Sequence, residues 1–154
     1  MMSPASEVLN ALKGRTLVTA ESITGGGIGA VLTSVPGSSS VYKGGIISYC
    51  DEIKASLLGV SPEILLKEGA VSAEVASQMA IGVREKMRAN VAVAVTGLAG
   101  PDGDGYGHPV GTVFIGYADG AGAMSREYHF EGDREAVRCQ TVRAALELIL
   151  EHNG

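Results

Sequence analysis

Cysteine is scarce in this sequence: Cys50 and Cys139 stand far apart, with no Cys-x-x-Cys run and no paired histidines beside them. A disulfide framework needs several cysteines, and a structural zinc needs four clustered N or S ligands, so neither is indicated. No apolar run approaches the roughly 20 residues of a membrane-spanning helix. The opening MMSPASEVLNALKGR lacks a basic segment followed by an apolar one, so no secretory signal is expected. Basic excess is missing too: 12 Lys+Arg stand against 17 Asp+Glu, for a net charge of -5, and the cations are scattered among acids. A protein gripping a polyanion needs a basic face, so nucleic acid is disfavoured as a partner. Repeats, low-complexity tracts and linkers are likewise absent, which leaves one domain over residues 1–154. A cytoplasmic protein acting on a small molecule fits these absences.

Apolar residues make up 45% of the chain and charged ones 19%, the balance of a globular domain with a substantial core. Ser3-Pro4 with Glu7 reads as a helix start, Val8, Leu9 and Leu12 as its apolar stripe, and Gly14 as its stop. Thr16 to Ala20 reads as a buried strand and Ile28 to Val35 as the helix after a glycine turn. Gly44 to Cys50 is a second strand, followed by a short helix that Asp51 is placed to cap. Ser61-Pro62-Glu63 opens another short helix. Ser72 opens a longer one to about Arg88, on the four-residue recurrence of Val75, Met79, Val83 and Met87. Asn90 to Thr96 is small, apolar and uncharged, as a strand covered on both faces should be. Val110 to Ala118 and Met124 to Phe130 flank Asp119-Gly120-Ala121-Gly122, which predicts an antiparallel hairpin. A last helix runs from about Asp133 to Glu151. The sum is an α/β fold, a single three-layer α/β/α domain with a mixed sheet.

The chain is organised around Thr16 to Gly29, TLVTAESITGGGIG, where an apolar run ends in Glu21-Ser22 and passes through glycines into a helix. Such a turn presents Ser22 together with free backbone N–H groups. Gly25 and Gly26 lack the Cβ atoms that would keep a ligand off the backbone, so a phosphate or a developing oxyanion is accommodated there. The plainer reading makes Ser22 or Thr24 a helix cap.

In open α/β sheets ligands gather where strands feed loops into helices. Tyr49 to Lys54 and Thr96 to Pro101 are two further exits of that kind. Lys54 falls in the first helical turn, where the macrodipole and any burial both lower its pKa toward that of a general base; the alternative is a solvated lysine. Tyr49 is placed to hydrogen-bond the lysine or the serine, or to pack at the strand end. Thr96 offers a hydroxyl to a substrate, and Arg134 at the start of the last helix offers a guanidinium to a phosphate or carboxylate. His108 and His129 have no carboxylate at relay spacing and read as structural or surface residues. Cys50 reads as an inert, buried thiol rather than a nucleophile.

Together the motifs resemble one family. Ala20-Glu21-Ser22-x-Thr24-Gly25-Gly26, Pro36-Gly37-Ser38-Ser39, Ser48-Tyr49 with Lys54, Gly69-Ala70-Val71-Ser72, Thr96-Gly97-x-Ala99-Gly100-Pro101, Pro109-Val110-Gly111-Thr112 and Phe130-x-Gly132-Asp133-Arg134 are similar, in order, to the C-terminal domain of the competence/damage-inducible protein CinA. The stand-alone form of that domain is the nicotinamide mononucleotide (NMN) deamidase PncC. The resemblance implies a metal-free, cofactor-free amidohydrolase converting NMN to nicotinate mononucleotide and ammonia, and a homo-oligomer. It implies Ser22 as nucleophile, Lys54 as its base and Tyr49 as their support, with Gly25, Gly26, Ser48, Thr96, Gly97 and Arg134 around the substrate. Three positions depart from the family: Ile23, Cys50 and the loop Asp102 to Tyr106, whose added carboxylates would repel a phosphate. The rival expectation is a non-catalytic module that binds a nucleotide or a partner through the same loops.

Overall fold

The computed structural model describes residues 2–154. Ser3 opens α1 (Pro4–Ala11): its hydroxyl accepts the Ser6 N–H, while Pro4 occupies a first-turn position where no N–H partner exists. After Gly14 the chain enters β1 (Leu17–Glu21), every residue of which is buried. Next come α2 (Gly27–Thr33), a 3-10 turn at Ser38–Ser40, and β2 (Tyr42–Ile47). Three helices follow, α3 (Asp51–Leu58), α4 (Pro62–Glu68) and α5 (Ala73–Met87), the last two opened by the hydroxyls of Ser61 and Ser72. Then come β3 (Val91–Gly97), the hairpin of β4 (Thr112–Asp119) with β5 (Gly122–His129), and α6 (Arg134–Asn153), which Asp133 caps.

The five strands form one sheet in the order β2-β1-β3-β4-β5. β2, β1 and β3 run parallel, and β4 and β5 are antiparallel additions, so the sheet is mixed as the hairpin signal predicts. On one face α1, α2 and α6 cover Leu17, Val91, Val93 and Val95. On the other, α3 to α5 cover Val18, Ala20, Ala92 and Ala94. The small side chains on this second face let α5 approach closely: a Cβ at Gly116 would collide with the Ala76 carbonyl.

Strand side chains alternate between faces. Leu17 and Thr19 fix Glu21 on the α2 side, while Val18 and Ala20 fix Ser22 on the α3 side, so two chain neighbours enter different layers. By the same count Thr96 shares the face of Ser22, and the Ser22 N–H donates to the Val95 carbonyl at 3.1 Å, carrying the β1–β3 ladder to the site.

Two local expectations change. The second strand begins at Tyr42 rather than Gly44 and ends at Ile47, because pairing with β1 stops where Glu21 meets Ile47. Ser48 to Cys50 therefore belong to a loop, and Cys50 is exposed instead of buried. Cys50 also takes the cap position of α3, without a side-chain cap bond, and Asp51 becomes the first helical residue.

Candidate active site

The turn after β1 is built around a carboxylate. Glu21 is 2% exposed, and its Oε1 accepts from the Thr24 hydroxyl at 2.6 Å and the Ile28 N–H at 2.8 Å. Its Oε2 accepts from the Gly29 N–H at 3.0 Å and the Thr19 hydroxyl at 3.3 Å. A buried charge persists only when so surrounded, and here it also offsets the positive end of α2.

The N-terminus of α2, expected to receive a ligand's negative charge, is thus occupied by the protein's own. The Gly25 N–H donates to the Ser22 carbonyl at 3.2 Å, and the Gly27 N–H to the Thr24 carbonyl at 3.0 Å. Gly25 and Gly26, with φ of 58° and 103°, supply the left-handed backbone of the turn. Neither is among the residues lining the cleft.

Lys54, the fourth residue of α3, is 1% exposed. Its Nζ donates to Ser22 Oγ at 3.0 Å and to the Ser48 carbonyl at 2.7 Å. Burial penalises the ammonium and lowers its pKa, against smaller opposing effects of Asp51 and Cys50. Among the described residues it forms no salt bridge. A hydroxyl and an amine that sheds its proton easily therefore meet inside the fold.

Ser22 opens into a cleft of about 370 Å³, lined also by Ile23, Tyr49, Asp51, Lys54 and the turn Thr96 to Asp104, with Arg134 on its rim. The exits of β1, β2 and β3 do converge there. Thr96 is held by donating to the Ala70 carbonyl at 2.8 Å, which leaves its oxygen free to accept. Gly97 lines the same wall.

Ser48 is wholly buried and outside the lining; its carbonyl steers Lys54, while its Oγ has no hydrogen-bond partner among the described residues. Tyr49 is bonded to neither Ser22 nor Lys54: it is 61% exposed, and its hydroxyl accepts from Arg134 Nη2 at 2.9 Å. Arg134 Nη1 donates to the Gly100 carbonyl at 2.8 Å, so the arginine ties the β2 and β3 exits together across the cleft mouth.

Cys50 does not line the cleft. The histidines are less isolated than their spacing indicates: His108 pairs with Asp104 at 3.2 Å and His129 with Glu127 at 2.7 Å, neither ring lining the cleft. The first pair is an i,i+4 contact within a loop and the second spans strand neighbours on one face.

Neither Glu21 nor Arg138 is given a role by the sequence pattern. Arg138 in fact reaches the turn after β1, with Nε donating to the Ile23 carbonyl and Nη2 to the Thr24 carbonyl, both at 3.1 Å. For Glu21 a signal existed: a carboxylate in a strand otherwise buried must be satisfied, and the nearest unpaired donors belong to the following helix.

Among the described residues no group of three or more His, Cys, Asp or Glu is placed to hold a metal, and no helix is long and apolar enough to cross a membrane.

Known proteins share this sequence pattern and fold. A relative named nicotinamide-nucleotide amidohydrolase PncC, from Pseudomonas putida, is 48% identical over 136 residues, covering 88% of this chain and 84% of the relative. A CinA-like protein of Thermosynechococcus vestitus is 50% identical over 138 residues, and the chain spans only 33% of its length. The crystal structure of the competence/damage inducible protein CihA from Agrobacterium tumefaciens superposes with a TM-score of 0.94 at 39% identity, over 98% of this chain and 94% of that one. The model of the CinA C-terminal domain matches residues 2–152, and the chain belongs to that family.

Proposed function

We propose that this chain is a nicotinamide-nucleotide amidohydrolase that deamidates NMN through a Ser22–Lys54 pair. The carrying observation is the buried contact of Lys54 Nζ with Ser22 Oγ at 3.0 Å. The likeness to the Pseudomonas putida protein of that name supports the choice of substrate. As an ammonium, Lys54 donates to both of its oxygen partners. As a neutral amine, it keeps an N–H for the Ser48 carbonyl and turns its lone pair to the Ser22 hydroxyl, whose proton it accepts as Oγ attacks the carboxamide carbon.

The Ile23 N–H, next to the nucleophile and without a protein acceptor among the described residues, is the nearest donor for the oxyanion. The proton passes from Lys54 to the departing nitrogen, ammonia leaves, and water activated by the same amine cleaves the acyl-serine to a carboxylate. Arg134, at the rim, meets the phosphate. Asp102 and Asp104, which also line the cleft, suit the positive charge of the pyridinium ring.

Ammonia release from NMN, measured against free nicotinamide, tests the reading. Turnover of NMN that disappears in a folded Ser22→Ala variant supports it; unchanged turnover in that variant, or tight NMN binding with no ammonia released by the parent chain, defeats it. The same reading places the enzyme in cytoplasmic pyridine nucleotide salvage as a homo-oligomer, which light scattering of the purified protein examines.

A further inference from the structure

We propose that Arg138 is a positioning residue for acyl transfer at Ser22, acting through the backbone of the two residues that follow the nucleophile. The inference rests on the reading of Ser22 as a nucleophile but not on the identity of its substrate.

An oxyanion donor is useful only if it already points at the place where charge develops. On the reading above the Ile23 N–H is that donor: it has no protein acceptor among the described residues, and Ile23 lines the cleft. A peptide unit is planar and trans, so fixing its carbonyl fixes the direction of the N–H in the same unit. The unit before Ile23 is held by the Gly25 N–H on the Ser22 carbonyl at 3.2 Å. The unit after it is held by Arg138 Nε on the Ile23 carbonyl, and the next one by Nη2 on the Thr24 carbonyl, each at 3.1 Å. The Thr24 carbonyl shares its plane with the Gly25 N–H, which holds the Ser22 carbonyl, and that carbonyl shares its plane with the Ile23 N–H, so the hold from α6 passes to the Ile23 N–H through Gly25.

The side-chain type follows from the task. Two successive carbonyls are spanned by one rigid, planar fork, which a lysine's single ammonium does not reproduce. Arg138 touches neither Ser22 nor Lys54, so its effect on rate passes through the turn. It also borders a solvent-open hollow with Asp133, Arg134 and Glu135, through which a small cation can reach its place.

The test reads Ser22 reactivity directly. A fluorophosphonate forms an Oγ–P bond at the serine and expels fluoride, with the hydroxyl proton taken by the base. Its labelling rate, followed by intact mass and peptide mapping over a range of pH, needs no natural substrate. In Arg138→Ala and Arg138→Lys the rate at Ser22 is expected to fall about a hundredfold, the scale of a lost or misaimed oxyanion donor. Its pH midpoint stays that of the parent, because Lys54 is untouched. Millimolar guanidinium restores most of the rate to Arg138→Ala, and Arg143→Ala, on an exposed position of the same helix, labels like the parent.

Parental rates in Arg138→Ala or Arg138→Lys overturn the proposal, as does a shifted pH midpoint, a slow variant that guanidinium leaves slow, or a parent chain that is not labelled at Ser22. Should the alanine variant fail to fold, the lysine variant carries the same comparison. A parent that is labelled at Ser22 yet releases no ammonia from NMN defeats the amidase reading and leaves this one standing.

Discussion

The two ends of strands β1 and β3 solve the same problem differently. Where the strands begin, Thr16 and Asn90 bind each other reciprocally: the Thr16 N–H and hydroxyl donate to Asn90 Oδ1 at 2.8 and 3.1 Å, and the Asn90 N–H donates back to Thr16 Oγ1 at 2.9 Å. Nearby, Asn153 donates to the Tyr117 hydroxyl, which donates to Asp119. Every group is neutral or close to solvent, and the pairs close on themselves. Where the strands end, a carboxylate and an amine are both buried, on opposite faces, and Ser48 Oγ has no partner. The first end holds the sheet together at little cost; the second keeps groups in states that water would prefer to change.

The comparison is broken or sharpened by four measurements. Lys54→Met gives the largest effect: NMN turnover falls about a thousandfold or more, as for loss of a catalytic base from a nucleophile pair. Its denaturant midpoint at pH 7 holds or rises, since a buried ammonium is replaced by an apolar chain of similar length. A variant that loses stability along with activity would mean that Lys54 is structural and that the two ends do not differ in kind.

Glu21→Gln comes next. It turns an amide nitrogen toward donors that need an acceptor and removes the charge facing α2, so about 2–3 kcal/mol of unfolding free energy should be lost in urea titration. A loss well under 1 kcal/mol would show that the turn does not depend on the carboxylate.

The pH dependence follows from the lowered pKa of Lys54. In the proposed mechanism the neutral amine is the base, so below the folded-state pKa kcat/KM climbs about tenfold per pH unit, levelling off below the ordinary lysine value of about 10.5. Between those two values the unfolded chain binds the extra proton, so this residue's contribution to stability also rises with pH. A profile that climbs only at or above the ordinary lysine value, or that falls as pH rises, removes Lys54 as the base. Smallest is Asn90→Ala, expected to cost about 1 kcal/mol of stability while leaving kcat/KM for NMN unchanged. A drop in activity there would show that the strand beginnings are coupled to the cleft.

Most of the fold was legible because its signals are local. Serines and prolines at helix starts, the uncharged β3 and the hairpin glycines each act within a few residues, and α1, α4, α5 and α6 begin where those signals stand. Boundaries moved where pairing decided them, as at β2, whose ends follow the register with β1 rather than its own composition. Ser22, Lys54 and Thr96 were visible as unusual residues at strand exits; that β2, β1 and β3 are neighbours, which brings those exits together, was a condition the sequence left open.

Residue patterns alone carried the alternation of elements and the family, and marked Ser22 and Lys54 as unusual residues at strand exits. Tertiary structure alone decided what those groups face. Strand alternation sends Glu21 and Ser22 to opposite layers, so the carboxylate fills the α2 terminus that seemed open to a ligand, and the serine meets the amine. Arg138 is 116 residues from Ser22 along the chain (138 minus 22) and reaches the same turn through the packing of α6 on α2. Contacts of that range depend on how layers dock, which no local pattern of residues encodes.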